Sequence, residues 1–368
     1  MVACAGINVL AFQYARLCST PIPPPWLEMS KRGNLAGLQW ACRVFCAPRD
    51  SLSGGMKYCL VKMLLVACEN GHLCVAEWLH TTFGLTAQDA RVEKNKALRI
   101  ACSHGHLAIA QWLKATFRLH ETDARDCAND AFSAACSHGH LDVAQWLYTT
   151  FGLTVHDARG MHKSFSGLHY EDDAFSAACK HGHLAVAQWL QVTFSLKAAD
   201  ARAWQNAALR FACVNAHLDV AQWLQSTFGL TAEDARDCYN YAMRYVCIRG
   251  HIHVAQWMQV QFGMTADDVR IGNTFALSDA CDKGYIDMVR WLHSIGFNGD
   301  DARMGRGNYH VLAFACRTGN LALAQWVHAK FKFTLDLAYT DHYAALRFAR
   351  DGGHIAVVEW LRSCLLND

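Results

Sequence analysis

A tryptophan recurs along the chain at a nearly constant interval, and this period constrains the fold more than any other feature. Of the nine intervals between the ten tryptophans of this series, seven are 34 or 35 residues long. A glycine, replaced once by Ala216, stands seven residues before each tryptophan. The series consists of Trp40, Trp78, Trp112, Trp146, Trp189, Trp223, Trp257, Trp291, Trp326 and Trp360. A fixed period of this size predicts a stack of similar supersecondary units.

Hydrophobic spacing predicts a pair of helices in each unit. Apolar residues stand two, four, five, seven, eight and twelve positions after Gly182, a helical spacing that covers more than one face. We therefore expect a second helix that is buried on two sides, with its tryptophan in the core. Before the glycine position, residues 206–213 carry one stripe of small apolar residues and predict a thinner first helix. The glycine should end that helix in a left-handed cap, so Ala216 should be strained.

A third, shorter helix is predicted after each pair. Gly229 is followed by Thr231 and then Asp234, which is a helix-start pattern. We expect the Asp of the recurring Asp-Ala-Arg to cap this turn and the Arg to pair with a carboxylate of the neighbouring unit. The series comprises Asp89/Arg91, Asp123/Arg125, Asp157/Arg159, Asp200/Arg202, Asp234/Arg236 and Asp301/Arg303.

The recurring Gly-His-Leu, with a cysteine three residues before the glycine, resembles the core of ankyrin repeats. It occurs at residues 71–73, 105–107, 139–141 and 182–184. Together with Phe-Gly-Leu-Thr, Asp-Ala-Arg and Val-Ala-Gln-Trp-Leu, it is similar to the ankyrin arrays of giant DNA viruses and of amoebal and oomycete genomes. The resemblance implies an all-α, ankyrin-like helix-turn-helix solenoid of about ten repeats. Because the Thr-Pro-Leu-His of ankyrin repeats is missing, we expect the short helix in place of their β-hairpin.

Two irregularities interrupt the repeat pattern, one at the N-terminus and one inside the array. Residues 1–25 read as a degenerate N-terminal cap or extension, and residues 26–368 as the repeat solenoid. Nine extra residues between Trp146 and Trp189 predict an inserted loop near 160–171.

Composition narrows the class of partner and the compartment. With 34 basic and 32 acidic residues the net charge is only +2, so we expect no nucleic acid partner. The chain has no apolar run long enough for a membrane span, and its first residues lack the basic start of a signal peptide. Seventeen cysteines within a helical, 52% hydrophobic chain favour buried thiols in a reducing cytoplasm. We expect a monomer.

Histidines after the glycines and cysteines before them raise the question of metal binding or catalysis. They stand at equivalent points of separate repeats, on the order of 10 Å apart, and therefore cannot converge on one ion. We expect the histidines to form hydrogen bonds between helices and the cysteines to act as small buried hydrophobes. The predictions are therefore no enzyme, no metal and no cofactor. One alternative stays open, a divergent metal-binding or enzymatic protein that uses the loop histidines His162 and His169.

The positions that vary between units are the candidates for binding a protein. In ankyrin arrays the residues just before the glycine line the concave face, and the tips between repeats vary as well. The predicted function is a non-catalytic protein–protein interaction scaffold, which would engage a host protein in the host cytoplasm if the viral resemblance holds. The candidate residues are His104, His138, Lys180, His181, Arg249 and Lys283 before the glycines, Trp204 and Tyr239 at the tips, and Phe165, Leu168, His169 and Tyr170 in the loop.

Overall fold

The computed structural model describes residues 24–45, 54–159, 173–271, 275–303, 310–333 and 338–367. Helices are the only regular secondary structure in these ranges, and no strand occurs in them, which confirms the all-α prediction. None of the described helices is both long and apolar enough to cross a membrane. The chain forms two compact units, Met1–Leu196 (unit 1) and Lys197–Asp368 (unit 2).

The described part of unit 1 contains five helix pairs and three short helices. Each pair consists of a first helix and a second helix, and the short helices connect consecutive pairs. The predicted cap at residues 1–25 lies outside the described ranges except for Pro24 and Pro25, so it stays a prediction. The helices are α1 (Pro24–Lys31), α2 (Leu35–Phe45), α3 (Gly54–Glu69), α4 (Leu73–Phe83), α5 (Ala87–Ala90), α6 (Val92–Ser103), α7 (Leu107–Phe117), α8 (Glu121–Ala124), α9 (Asp126–Ser137), α10 (Leu141–Phe151), α11 (Val155–Ala158), α12 (Ala174–Lys180) and α13 (Leu184–Phe194).

Unit 2 repeats the same arrangement, again with five helix pairs in its described part. Short helices of four or five residues stand where the sequence predicted a replacement for the β-hairpin, so that prediction is confirmed for the described repeats. The helices are α14 (Ala198–Ala201), α15 (Ala203–Val214), α16 (Leu218–Phe228), α17 (Ala232–Ala235), α18 (Asp237–Arg249), α19 (Ile252–Phe262), α20 (Ala266–Arg270), α21 (Ala276–Asp282), α22 (Ile286–Ser294), α23 (Gly299–Arg303), α24 (Val311–Arg317), α25 (Leu321–Phe331), α26 (Ala338–Asp351) and α27 (Ile355–Asn367).

Side-chain size determines how the pairs stack within each unit. The first helix α6 buries Ala97, Ala101 and Cys102 completely or nearly so, and small side chains of this kind let helix axes approach closely. Accordingly, consecutive first helices such as α6 and α9 make more extensive contacts than consecutive second helices such as α7 and α10. The second helices bury larger residues, for example Leu113 and Phe117 in α7.

The tryptophan series is less buried than the sequence predicted. Trp291 is buried, but Trp40 is 48% exposed and the other members of the series are half-buried. Trp112 lies next to the buried Leu113 on α7 and therefore points to the edge of the apolar stripe rather than to its centre. Its ring meets Phe117 edge-on at 5.5 Å and His80 of the preceding pair at 6.1 Å. The tryptophans therefore cover the edge of the contact between neighbouring helix pairs. The prediction that they lie in the core was wrong for most of them.

The glycine between the two helices of a pair satisfies two requirements. Gly105 has a φ of 74°, the left-handed conformation that the sequence predicted, and Ala216 adopts the same conformation with a φ of 63°. In addition, a Cβ atom at Gly105 would lie only 2.5 Å from Nδ1 of His140 in the next pair. The imidazole of the following repeat therefore packs directly against Gly105, a contact that the period alone did not indicate.

Candidate functional site

One carboxylate joins each short helix to the pair before it, and Asp123 shows the arrangement. Its Oδ2 atom accepts a hydrogen bond from the backbone N–H of His120 at 2.8 Å, which caps α8. Arg91 donates from Nε to Oδ1 at 2.8 Å and from Nη2 to Oδ2 at 3.0 Å. The same arginine also reaches the carbonyl oxygen of Arg118 at 3.3 Å. A single bidentate pair therefore fixes both the short helix and the end of the second helix to the preceding repeat.

This ion pair recurs in both units, as the Asp-Ala-Arg series predicted. Each recurrence joins an arginine to the capping aspartate of the next repeat, and Lys57 takes the arginine's place at the first one, 3.2 Å from Asp89. The further pairs are Arg125–Asp157, Arg202–Asp234, Arg236–Asp268 and Arg270–Asp301. The aspartates and arginines of these pairs therefore serve the stacking of repeats.

Hydrogen bonding keeps these aspartates ionised. Burial disfavours the charged form of Asp123, but the hydrogen bonds from Arg91, His120 and Asn95 together outweigh it and lower the pKa below its ordinary value of 3.8. The hydrogen bonds that Arg91 donates to Asp123 correspondingly raise the pKa of Arg91. The pair is therefore fully charged at neutral pH.

A left-handed turn follows the short helix in several repeats, and the sequence pattern did not indicate it. Glu93, Lys94 and Asn95 have φ values of 52°, 57° and 55°, which is three consecutive residues in a conformation that costs an L-residue about 1–2 kcal/mol. Residues 204–206 and 238–240 of unit 2 adopt the same turn. Backbone strain of this extent persists only where surrounding contacts enforce it.

A buried asparagine at the end of the turn supplies those contacts. The Nδ2 atom of Asn95 donates to Oδ1 of Asp123 at 3.1 Å and to Oδ2 of Asp126 at 2.5 Å. Asn129 and Asn240 bind the equivalent Asp157 and Asp268, and Asn206 binds Asp237. The spacing Arg-x-x-x-Asn, present at 91–95, 125–129, 202–206 and 236–240, was the available indication of this role.

The turn displays two side chains that differ from repeat to repeat. In unit 1 the pair is Glu93 and Lys94, both exposed. In unit 2 the turns expose Trp204 to 44% and Tyr239 to 80%. Large aromatic side chains held in water on a strained turn are candidates for contacts with a partner.

The comparison with family models identifies part of the array. Residues 64–157 match the model described as ankyrin repeats, in three copies. The match spans α4 to α10 together with the end of α3 and most of α11, and the comparison with curated proteins found no match.

The histidine after the glycine connects consecutive repeats. Nε2 of His106 donates to the carbonyl oxygen of Glu69 at 3.0 Å, and Nε2 of His140 donates to that of Ser103 at 3.1 Å, in the tautomer protonated at Nε2. His354 makes the equivalent bond to Arg317 in unit 2. Burial lowers the pKa of His140, and the nearby His138 acts in the same direction. Hydrogen bonding between helices by these histidines was predicted and is confirmed.

In one ankyrin-like repeat of unit 2, a residue other than the histidine donates the hydrogen bond to the preceding repeat. Tyr285 stands at the position that most repeats fill with the histidine, and its ring packs against Gly250 in the same way. The carbonyl oxygen of Ile248 instead accepts a hydrogen bond from Nζ of Lys283 at 3.0 Å. In the repeat before it, Arg249 donates to the carbonyl oxygen of Val214 at 3.1 Å, to which His251 also bonds, and to Oδ1 of Asn215 at 2.7 Å. Two of the predicted partner-binding residues therefore also link repeats.

The remaining predicted residues before the glycines lie at the surface of unit 1. His104, His138 and His181 are exposed and Lys180 is half-buried. The ring of His104 stacks on His106 with the centroids 6.1 Å apart, and His138 stacks in the same way on His140. Phe165, Leu168, His169 and Tyr170 lie outside the described residues, as does His162, so the predictions for the loop stay predictions.

The cysteine series is buried in the first helices, as predicted. The cysteines from Cys68 to Cys316 in this series are completely shielded from water, and burial raises the pKa of the Cys68 thiol to about 12. Such thiols carry no nucleophilic thiolate at neutral pH. Among the described residues, no group of three or more His, Cys, Asp or Glu side chains is arranged to hold a metal ion.

An aromatic cluster on the first helices of unit 2 was not predicted from the sequence. Trp204 and Tyr239 were recognised singly, without a connection to Phe211, Tyr241 and Tyr245. Phe211 lies on α15, and both tyrosines of the cluster lie on α18, so only the stacking of these two helices brings the three rings together.

Proposed function

We propose that the chain is a non-catalytic scaffold that binds another protein through the variable surface of its repeats. Ankyrin repeats are in general protein–protein interaction modules. One observation carries the proposal. The recurring arginines, aspartates, asparagines and histidines are engaged between repeats, whereas the side chains on the left-handed turns and on the exposed face of the first helices change from repeat to repeat. In repeat arrays, such variable surface residues are the ones that recognise partners.

The chemistry of the buried groups supports a non-catalytic role. A nucleophilic cysteine needs an accessible thiolate and a neighbouring base, but the thiols of the first helices are buried and their pKa values are raised, as for Cys213, to about 12. The charged residues with clearly shifted pKa values in the Asp-Ala-Arg series are committed to pairs between repeats.

We further propose that the partner is a host protein met in the host cytoplasm. The resemblance of the repeats to the arrays of giant DNA viruses supports a host partner. The cysteines that the structure describes are free thiols, as in Cys74 and Cys127 at the surface, which favours a reducing compartment.

Affinity capture followed by reconstitution tests the proposed function. The full chain is used as bait in a eukaryotic cytosolic extract, and each captured protein is purified and mixed with the chain in size-exclusion chromatography with light scattering. We expect at least one stoichiometric complex. A version that lacks residues 160–171 is run beside it, and selective loss of one partner would assign that partner to the loop.

The proposal fails if no captured protein forms a complex with the purified chain. A Gly105→Ala chain provides the control for folding, because it alters the framework without changing a variable side chain. A true partner should bind it undiminished as long as its circular dichroism shows a folded array.

A further inference from the structure

The first helices of unit 2 carry a continuous surface of aromatic and arginine side chains. The ring of Tyr241 on α18 stacks on Tyr245 with the centroids 4.3 Å apart. It also meets Phe211 of the neighbouring α15 edge-on at 6.2 Å. We name this surface the aromatic–arginine patch, and it consists of Trp204, Arg210, Phe211, Tyr239, Tyr241 and Tyr245.

Arg210 connects the helix face to the tip of the repeat. Its guanidinium lies 5.3 Å from the ring centroid of Phe211 and 5.2 Å from that of Tyr241. Its Nη2 atom also donates to the carbonyl oxygen of Trp204 at 3.0 Å. The exposed tip and the rings on the helices therefore form one surface rather than separate side chains.

The aromatic residues are not required for stacking the repeats. The positions in unit 1 that correspond to Tyr241 are occupied by Lys96 and Asp130, and those that correspond to Phe211 and Tyr245 by Ile100 and Ala134. The first helices there pack equally closely. Unit 2 thus carries three half-buried rings, beside the exposed Trp204 and Tyr239, that the architecture does not need. Apolar patches that reach the surface mark interaction sites.

A sequence difference between the units leaves Arg210 without a carboxylate partner. In unit 1, Arg99 forms an ion pair with Asp130, with Nε and Oδ2 2.5 Å apart. Arg210 and Tyr241 occupy the same two positions in unit 2, so a ring face replaces the carboxylate. Within the part of the chain that the structure describes, Arg210 forms no ion pair.

Further cations flank the patch. Arg249 and Lys283 bond to backbone carbonyl oxygens, and Arg249 also to a side-chain amide, but neither is paired with a carboxylate among the described residues. Among the nearby acids, Asp282 is paired with Arg317. Asp237 accepts a hydrogen bond from the neutral amide of Asn206 and keeps its charge, but the three cations Arg210, Arg249 and Lys283 outnumber it. The surface is therefore positive as well as aromatic.

We propose that the aromatic–arginine patch binds an acidic peptide segment of the partner protein. Carboxylates of the segment meet Arg210 and Arg249, and an aromatic or large aliphatic side chain of the segment packs against Trp204 and Tyr239. Trp, Tyr and Arg are the residue types that dominate binding energy at protein interfaces. A net charge of only +2 over the whole chain favours a peptide over a nucleic acid. The inference rests on the proposed function and names the surface and the partner chemistry.

A random-peptide phage library selected against the full chain tests this. We expect enriched peptides with a net negative charge and an aromatic or aliphatic anchor. A labelled consensus peptide should bind in fluorescence anisotropy, and Tyr239→Ser or Arg210→Gln should weaken its Kd at least about tenfold. Lys94→Ser, at the position in unit 1 that corresponds to Tyr239, should change the Kd by less than about twofold. Thermal melts establish that each variant is folded.

Three outcomes of the peptide experiments would overturn the inference. They are a library that yields no acidic consensus, a consensus peptide whose Kd neither substitution changes, and an oligouridine that binds the patch and displaces the peptide. The inference also fails, while the proposed function stands, if a partner that forms a stoichiometric complex binds Tyr239→Ser and Arg210→Gln as tightly as the unaltered chain. If no protein forms such a complex, the proposed function itself fails.

Discussion

Asn95 donates a hydrogen bond to Asp123 across a repeat boundary, from Nδ2 to Oδ1 over 3.1 Å. The asparagine is 2% exposed and ends a left-handed turn, and the aspartate caps the next short helix. The bond thus converts a cap in one repeat into a restraint on the backbone of the previous one. This coupling explains how bulky residues at the tips hold a strained conformation.

Two substitutions of Asn95 should distinguish the loss of its hydrogen bonds from the steric cost of the left-handed turn. Asn95→Gly removes both hydrogen bonds but tolerates the left-handed backbone, and we expect it to lower the free energy of unfolding by about 1–3 kcal/mol. Asn95→Ala adds the steric cost of a left-handed alanine and should cost about 1 kcal/mol more. Urea unfolding measures both values. Equal stability of the two variants would show that the turn is not left-handed in solution.

Local spacing made much of the framework predictable. The helix pairs, the glycine caps and the pairing of Arg91 with a carboxylate of the next repeat follow from periods of 3.6 and 34 residues and from capping patterns. Trp112 was assigned wrongly because a helical period does not distinguish the centre of an apolar stripe from its edge.

The candidate binding surface was only partly predictable from the sequence. Trp204 and Tyr239 were recognised as exposed because their positions vary. The left-handed turn was not foreseen, because bulky L-residues rarely adopt that conformation in succession. Arg210 and Tyr241 come from neighbouring repeats, 31 residues apart in the chain, and only the register of α15 against α18 places one over the other.

Acid should destabilise the array through its capping aspartates. The pKa of Asp123 lies below 3.8 in the folded protein, so the unfolded chain binds protons first as the pH falls. The stabilisation from the ionised carboxylate is therefore complete above about pH 4 and is lost as the pH falls through the lowered folded value. Asp123→Asn should reduce stability at neutral pH by about 2–3 kcal/mol and flatten this acid dependence. The measurement is the melting temperature of both proteins between pH 3 and 7. The prediction is contradicted if the melting temperature falls as steeply with pH in the variant as in the unaltered chain.

Two glycines with the same backbone conformation should respond differently to alanine. Gly84 has a φ of 67° and open space where the Cβ atom of an alanine would lie, so Gly84→Ala should cost only the left-handed penalty of about 1–2 kcal/mol. Gly105→Ala must in addition displace the ring of His140 and its hydrogen bond to Ser103, which adds about 1 kcal/mol. Urea unfolding of both variants checks the difference. Equal losses would mean that the histidine does not pack against the glycine.

Lys283 should be needed only because Tyr285 stands at the histidine position. Lys283→Met removes the donor to the carbonyl oxygen of Ile248 and should cost about 0.5–1 kcal/mol, since the bond is exposed. In a Tyr285→His background the imidazole can donate to that carbonyl, as His106 does to Glu69, so the same substitution should cost almost nothing. A double-mutant cycle by urea unfolding measures this coupling. Lys94→Met, on an exposed tip of unit 1, is the control and should show no coupling to Tyr285. If Lys283→Met costs the same in both backgrounds, the lysine does not replace the histidine, and its place before Gly284 would have to be explained by a partner instead.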